Sequence, residues 1–241
     1  MIDNFDILKK NLTFESSFDR YIVHVLKRAK DDLGKTYGVN ETNRLLKTFY
    51  ISSVEYLERK IPVIKDLCES NRARAYILPQ VRDNSACLRN LLKVVVDNLD
   101  NPTIKPDHLI RTAFCGYHGS RDKKWILDLD NDNMVEYIHP EKNADRISWK
   151  PEDVLEFVGR RLEECGKKAS SAYMVPTRNG HCLITPPFDV RKAYEKCSMM
   201  FEGVKKITNP KISSESFEIR GWLIKDGMSL LYLPESIGNK K

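Results

Sequence analysis

The chain has no paired cysteines, no apolar run long enough to span a bilayer and no glycine-rich phosphate loop, and each absence removes a class of function. Its six cysteines, Cys68, Cys87, Cys115, Cys165, Cys182 and Cys197, are scattered without a C-x-x-C pair. Neither a disulfide framework nor a zinc ribbon is indicated. Cys115 and His118, with His108 upstream, come nearest to metal spacing, but no second pair completes a ligand set; buried, reduced thiols are the expectation. No stretch approaches the ~18 apolar residues of a membrane helix. The opening MIDNFDILKK lacks the layout of a signal peptide. A soluble protein with no membrane partner is therefore expected. Walker A, G-x-G-x-x-G, G-x-S-x-G and H-E-x-x-H are all missing, which sets aside P-loop NTPases, Rossmann dehydrogenases, α/β-hydrolases and zincins. Lys225-Asp226-Gly227 lacks the spacer of the K-x-D-G motif of covalent nucleotidyl ligases. No internal repeat and no low-complexity tract occurs.

What is present is enough for a core. Of 241 residues, 41% are hydrophobic and 31% charged, which argues against a disordered or fibrous chain. Forty Lys and Arg against 34 Asp and Glu leave a net charge of +6, a mild basic excess compatible with phosphate-bearing partners.

Periodicity predicts a helical region over residues 1–70. Leu46, Tyr50, Val54, Leu57 and Ile61 recur at helical steps. A shorter segment around Tyr21, Val25 and Leu26 reads the same way, with Gly34 and Gly38 between the two. Pro62 is expected to kink or restart the second helix. Over residues 71–241 strands and helices alternate. RAYILPQ and KWILDLD read as strands, as do SAYMV and HCLIT across the turn PTRNG. SFEIRGWLI and SLLYLP read as the last two, with Lys225-Asp226-Gly227 as a hairpin turn between them. Helices are expected after Asp83–Ser85, from Pro106, from Pro151 to a stop at Gly166, and from Asp189. The fold class expected is α+β, with a helical N-terminal region and one central sheet in the remainder.

Trp125-Ile126-Leu127-Asp128-Leu129-Asp130 carries the most chemistry. On a strand, Trp125, Leu127 and Leu129 point one way and Ile126, Asp128 and Asp130 the other. Two carboxylates two residues apart repel unless a cation sits between them, and a Mg²⁺ or Mn²⁺ pair about 4 Å apart is the usual arrangement in phosphoryl and nucleotidyl transfer. The bland alternative is a solvated acidic turn. An EF-hand is excluded, because Asn133 stands where glycine is required and His139 where glutamate is required. Pro176-Thr177-Arg178-Asn179-Gly180-His181 forms a second group, in which backbone N–H groups, Arg178, Asn179 and His181 suit a triphosphate. Glu218 and Asp226 are candidates for a third metal-binding acid. Arg72, Arg74 and Arg82, and again Arg121, Lys123 and Lys124, are either solvated surface or a track for a nucleic-acid backbone.

WILDLD resembles the first motif of the archaeo-eukaryotic primases, an apolar strand ending in D-x-D, and TRNGHCLIT resembles their second, a polar turn leading through His into a strand. The resemblance implies an RRM-like catalytic domain over 71–241 with a mixed sheet, and a metal-dependent nucleotidyltransferase acting on nucleic acid and nucleoside triphosphates. It implies metal ligation by Asp128 and Asp130, with Glu218 or Asp226 standing in for the third acid, and phosphate contact by His181. The match departs from the family in two places: no clean third motif occurs, and Gly180 and His181 are adjacent where a spacer is expected. A one-residue shift reverses the face of a strand side chain. The whole chain is also similar to a family of small phage-encoded proteins of unassigned activity, in which ARAYI, KKWILDLD, PT-x-NG and KDG…LLY occur in this order. That similarity implies a phage protein working in the host cytoplasm. A non-catalytic nucleic-acid- or partner-binding protein and a metal-dependent nuclease stand as alternatives.

Overall fold

Tyr21, Ile22, Val23 and Val25 are aromatic or β-branched, and a side chain stiff at χ1 fits a pleated surface better than a helix. The computed structural model describes residues 1–31, 43–115, 122–130, 137–138, 146–147, 151–188, 223–224 and 227–238. Gly34, Gly38, His118, Arg121, Cys197, Glu218, Asp226 and the segment from Asp189 lie outside the described residues. The chain divides into two compact units, Met1–Lys123 with Met228–Lys241, and Lys124–Gly227. The second unit is thus inserted into the first.

The first unit is built on strands β1 (Ile2–Asp3), β2 (Asp19–Lys27), β3 (Arg44–Ile51) and β4 (Arg74–Asp83), with β11 (Ser229–Leu233) returning from the far end of the chain. Their order is β1-β11-β4-β2-β3, with every pair antiparallel. The expected helical region 1–70 is therefore corrected: residues 19–27 and 44–51 are strands, and they share a sheet with residues beyond 70. Tyr21, Ile22, Val23 and Val25 are all buried, so β2 shows no alternation and its apolar residues fall at helical spacing by coincidence. Helix α1 (Phe5–Lys9) precedes β2.

Helix α2 (Val54–Asn71) starts where Ser53 accepts a hydrogen bond from the Tyr56 N–H. It ends where Arg72 turns left-handed and the Ala73 N–H returns to the Cys68 carbonyl. Pro62 sits inside this helix rather than breaking it. Leu57, Ile64 and Cys68 bury one stripe on both sides of the proline, and that burial outweighs the lost N–H bond and the crowding of the preceding turn. Tyr232, opposite Ala75, donates to Glu69 of α2. Leu78, on the other face of β4, packs with Cys87 of α3 (Asn84–Val96) and with Ala113 and Phe114 of α4 (Pro106–Cys115). The sheet is thus covered on both faces. Asp83 caps α3 by accepting from the Ala86 N–H.

The second unit carries β5 (Trp125–Asp130), β8 (Tyr173–Pro176), β9 (Gly180–Thr185) and β10 (Leu223–Ile224) in the order β10-β5-β9-β8, all antiparallel. A small pair, β6 (Tyr137–Ile138) and β7 (Arg146–Ile147), follows β5. Helix α5 (Pro151–Glu164) opens on proline. It stops at Gly166, whose φ of +71° suits a residue without a side chain. Its Val154, Phe157, Val158 and Leu162 pack with Leu127, Leu129 and Leu183. Gly159 permits the close approach of Ala169, whose Cβ would lie 3.3 Å from any side chain placed there. A last short helix, α6 (Glu235–Gly238), follows β11.

The class is α+β, as expected, but the expected single mixed sheet is replaced by two principal sheets with antiparallel pairing throughout the described strands. The reason lies in the pairing of the last two described strands: β10 pairs with β5 and β11 with β4. These consecutive strands belong to different sheets, so no hairpin joins them.

Candidate active site

The paired acids singled out from the sequence sit at the end of β5, with the Thr177–Gly180 turn beside them. The apolar pattern of β5 sets its orientation. Leu127 and Leu129 are buried against α5, so Asp128 belongs to the opposite face of the strand. Asp128 is half-buried and lies directly across from Cys182, which is itself paired with Val175 on β8. Cys182 and Val175 are buried, leaving Asp128 at the edge of an apolar row. Asp130 is the last residue of β5 and stands opposite Gly180, so β9 contributes no side chain across from it. Strand position 130 shares the face of position 128.

Gly180 also closes the adjacent turn. The Thr177 N–H donates to the Gly180 carbonyl at 2.9 Å, which leaves Arg178 and Asn179 exposed at the tip. The fold therefore brings Asp128, Asp130, Arg178 and Asn179 to one end of the sheet. It does not bring His181 to the same face. His181 pairs across with Leu129, not with Asp128 or Asp130, and so it falls on the face that α5 covers. The residue beside Asp128 on β9 is Cys182, which the motif comparison passes over; strand parity counted from Gly180 is the signal that finds it. The Nδ1 of His181 and the Oγ1 of Thr177 are both buried without a hydrogen-bond partner.

Two expected contacts fall elsewhere. Lys124 precedes the first residue of β5, and at about 3.3 Å per residue it lies ~20 Å from Asp130 along the strand. Arg74 belongs to the other unit and is buried. Its Nε donates to Asp31 Oδ2 at 2.6 Å and its terminal nitrogen to Oδ1, a two-point ion pair. Burial opposes its charge, but the Asp31 hydrogen bonds prevail and hold the guanidinium above its usual range. Arg74 is thus a structural cation, and Arg82 is buried as well; neither is part of a solvated basic cluster.

A divalent cation is implied by paired acids, and the donor chemistry at this strand end fits one. Carboxylate oxygens suit Mg²⁺ and Mn²⁺, whereas the Cys182 thiol suits softer metals. Among the described residues no group of three His, Cys, Asp or Glu side chains gathers to hold a metal, so a third ligand is not assigned among them; Glu218 lies outside. Cys68, Cys87 and Cys182 are buried free thiols, whereas Cys165 is exposed. Among the described residues no helix is long and apolar enough to cross a membrane. No family model, no curated protein and no solved structure matches the chain.

Proposed function

We propose that the chain is a metal-dependent nucleotidyltransferase of primase-polymerase type, acting on nucleic acid and nucleoside triphosphates, with Asp128 and Asp130 as the metal-holding pair. The observation that carries this reading is the position of D-x-D at the end of β5, a central strand of its sheet, with Asp128 on the side away from α5. Strand order supports an RRM-like core. With β5, β8, β9 and β10 counted first to fourth, the sheet reads 4-1-3-2, and α5 crosses from the first strand to the second. That is the split βαβ pattern.

Asp128 and Asp130 would hold Mg²⁺ or Mn²⁺, with a third oxygen ligand such as Glu218 outside the described residues. A bound ion would supply charge neutralisation at the triphosphate and would lower the pKa of an attacking 3′-hydroxyl. Arg178 and Asn179, exposed at the neighbouring turn, donate hydrogen bonds to phosphate oxygens. A phage replication setting follows from the resemblance alone.

A second reading, a nucleic-acid- or partner-binding protein without catalysis, is favoured by one observation: His181 faces away from the acids. A nuclease would use the same two carboxylates. Extension of primed and unprimed single-stranded DNA with labelled NTPs and dNTPs in Mn²⁺ separates the three. Longer products that disappear in Asp128→Ala/Asp130→Ala support synthesis, and shortened templates support hydrolysis. Nucleic-acid binding without product, equal in both proteins, sinks the catalytic proposal.

A further inference from the structure

We propose that α3 is a self-association surface on which two copies of the chain pair antiparallel along Leu88, Leu92, Val96 and Leu99. The inward side of α3 is accounted for: Cys87 is buried and Leu91 packs against Ile22, Leu78, Ala113 and Phe114. Its outward side is apolar and bare. Leu88 is 46% exposed, Leu92 68% and Val96 65%, and Leu99, just past the helix, is 72% exposed. At about 100° per residue, Leu88 and Val96 each lie about 40° from Leu92, so the three form one continuous stripe. A contiguous stripe of this kind marks an interaction surface, unlike single apolar residues scattered over a surface.

Charge identifies the occupant. Arg89, Lys93, Asp97 and Asp100 are all exposed; helical geometry places Arg89, Lys93 and the C-cap residue Asp97 on the same flank of the stripe, roughly 60–140° from Leu92, and Asp100 follows in the turn after the helix. Of these four the first two are basic and the last two acidic. When two identical helices pack antiparallel, each flank meets its own counterpart running the other way. Arg89 and Lys93 of one copy then face Asp100 and Asp97 of the second, twice over. A parallel pair would set the charged flank against the side bearing Leu91 and Val95, where no countercharge stands. Asp97 is also the C-cap residue of α3, where a negative charge adds to the negative end of the helix dipole. Lys93, one turn earlier, offsets part of that cost, and a cation from a second copy would add to that offset.

Sedimentation of the full chain tests this. At about 50 µM the protein should run as a dimer, and Leu92→Asp should raise the dissociation constant at least tenfold, about the effect of removing a central anchor. The decisive variants reverse charge. Arg89→Asp/Lys93→Asp makes the flank wholly acidic, and Asp97→Lys/Asp100→Lys makes it wholly basic. Each should be monomeric alone, and a mixture of the two should form a salt-sensitive heterodimer. All the substituted side chains are exposed, so the folded state, checked by circular dichroism, should not change. A wild-type chain that stays monomeric at ~100 µM, or reversed variants that fail to pair when mixed, overturns the proposal.

Discussion

The two sheets differ in where their polar residues stand. In the first unit, several interior polar groups pair across the fold, although Ser229 Oγ is buried without a hydrogen-bond partner. Arg74 and Asp31 neutralise each other, His24 Nδ1 lies 2.9 Å from Thr48 Oγ1, and the Asn4 amide donates to the Leu230 carbonyl. The Tyr232 hydroxyl donates to Glu69. In the second unit, Asp128, Asp130, Arg178 and Asn179 gather at one end of the sheet, and beside them His181 Nδ1 and Thr177 Oγ1 are buried without a hydrogen-bond partner. A buried polar group that is satisfied at home adds specificity and has nothing left for a ligand. One left unsatisfied costs about 1–3 kcal/mol in the free protein. On the proposed function, the first unit serves as scaffold and the end of the second unit's sheet as the place where binding energy is gained.

The largest expected effect tests whether that division is real. Arg74→Met leaves Asp31 buried and alone, and should cost about 3–5 kcal/mol in chemical denaturation. Adding Asp31→Asn should restore most of it. Asp128 is only half-buried, so Asp128→Ala should cost less than the Arg74 substitution, under about 2 kcal/mol. A larger loss would make that acid a structural group and remove it from the proposed site.

Alkaline titration should separate the units in one experiment. Burial pushes the Cys68 thiol up to about 12 from 9.0. Burial, and then the hydrogen bond to Glu69, raises the Tyr232 phenol above its usual value. Both groups keep their protons in the folded chain and release them when it unfolds. Their stabilisation is therefore complete below pH 9 and is lost as pH rises from 9 toward 12. Cys68 alone contributes a slope of up to about 1.4 kcal/mol per pH unit in that window. Trp125, Trp149 and Trp222 all belong to the second unit, so tryptophan fluorescence reports that unit and circular dichroism reports both. Loss of ellipticity should precede the fluorescence change, and Cys68→Ala should flatten the ellipticity loss. Coincident transitions would mean that the units unfold together.

The same contrast separates what was legible in the sequence from what was not. In the second unit, Pro151 and Gly166 mark the ends of α5, and WILDLD alternates because only one face of β5 packs on that helix; local rules suffice there. In the first unit they fail. Strand β2 is buried on both faces between β3 and β4, so its apolar residues carry no period of two and imitate a helix. Pro62 suggests a break, yet Leu57, Ile64 and Cys68 carry the buried stripe past it. Arg74 reads as a surface cation because its partner, Asp31, lies 43 residues away. The separation of β10 from β11 into two sheets is a long-range choice that no local signal records. At the candidate site, the period-two pairing of Asp128 with Asp130 is local and legible. Which residue of β9 stands beside them depends on ladder register, and register is a tertiary property.

His181 gives the smallest and most discriminating test. If the histidine served the acids, replacing it would weaken nucleotide binding and leave stability nearly unchanged. The register places it across from Leu129 on the side that α5 covers, with Nδ1 buried and unpartnered. Leucine there removes an unsatisfied polar atom and extends the row formed by Leu127, Leu129 and Leu183. His181→Leu should therefore stabilise the second unit by about 1 kcal/mol, read from tryptophan fluorescence, and leave Mn²⁺-dependent nucleotide affinity within about twofold. Nucleotide affinity that falls tenfold while stability holds would put the imidazole in contact with phosphate. The buried row behind Leu129 would then have to open toward the substrate, and the line drawn between scaffold and site would run through the helix-covered face rather than along the acid-bearing one.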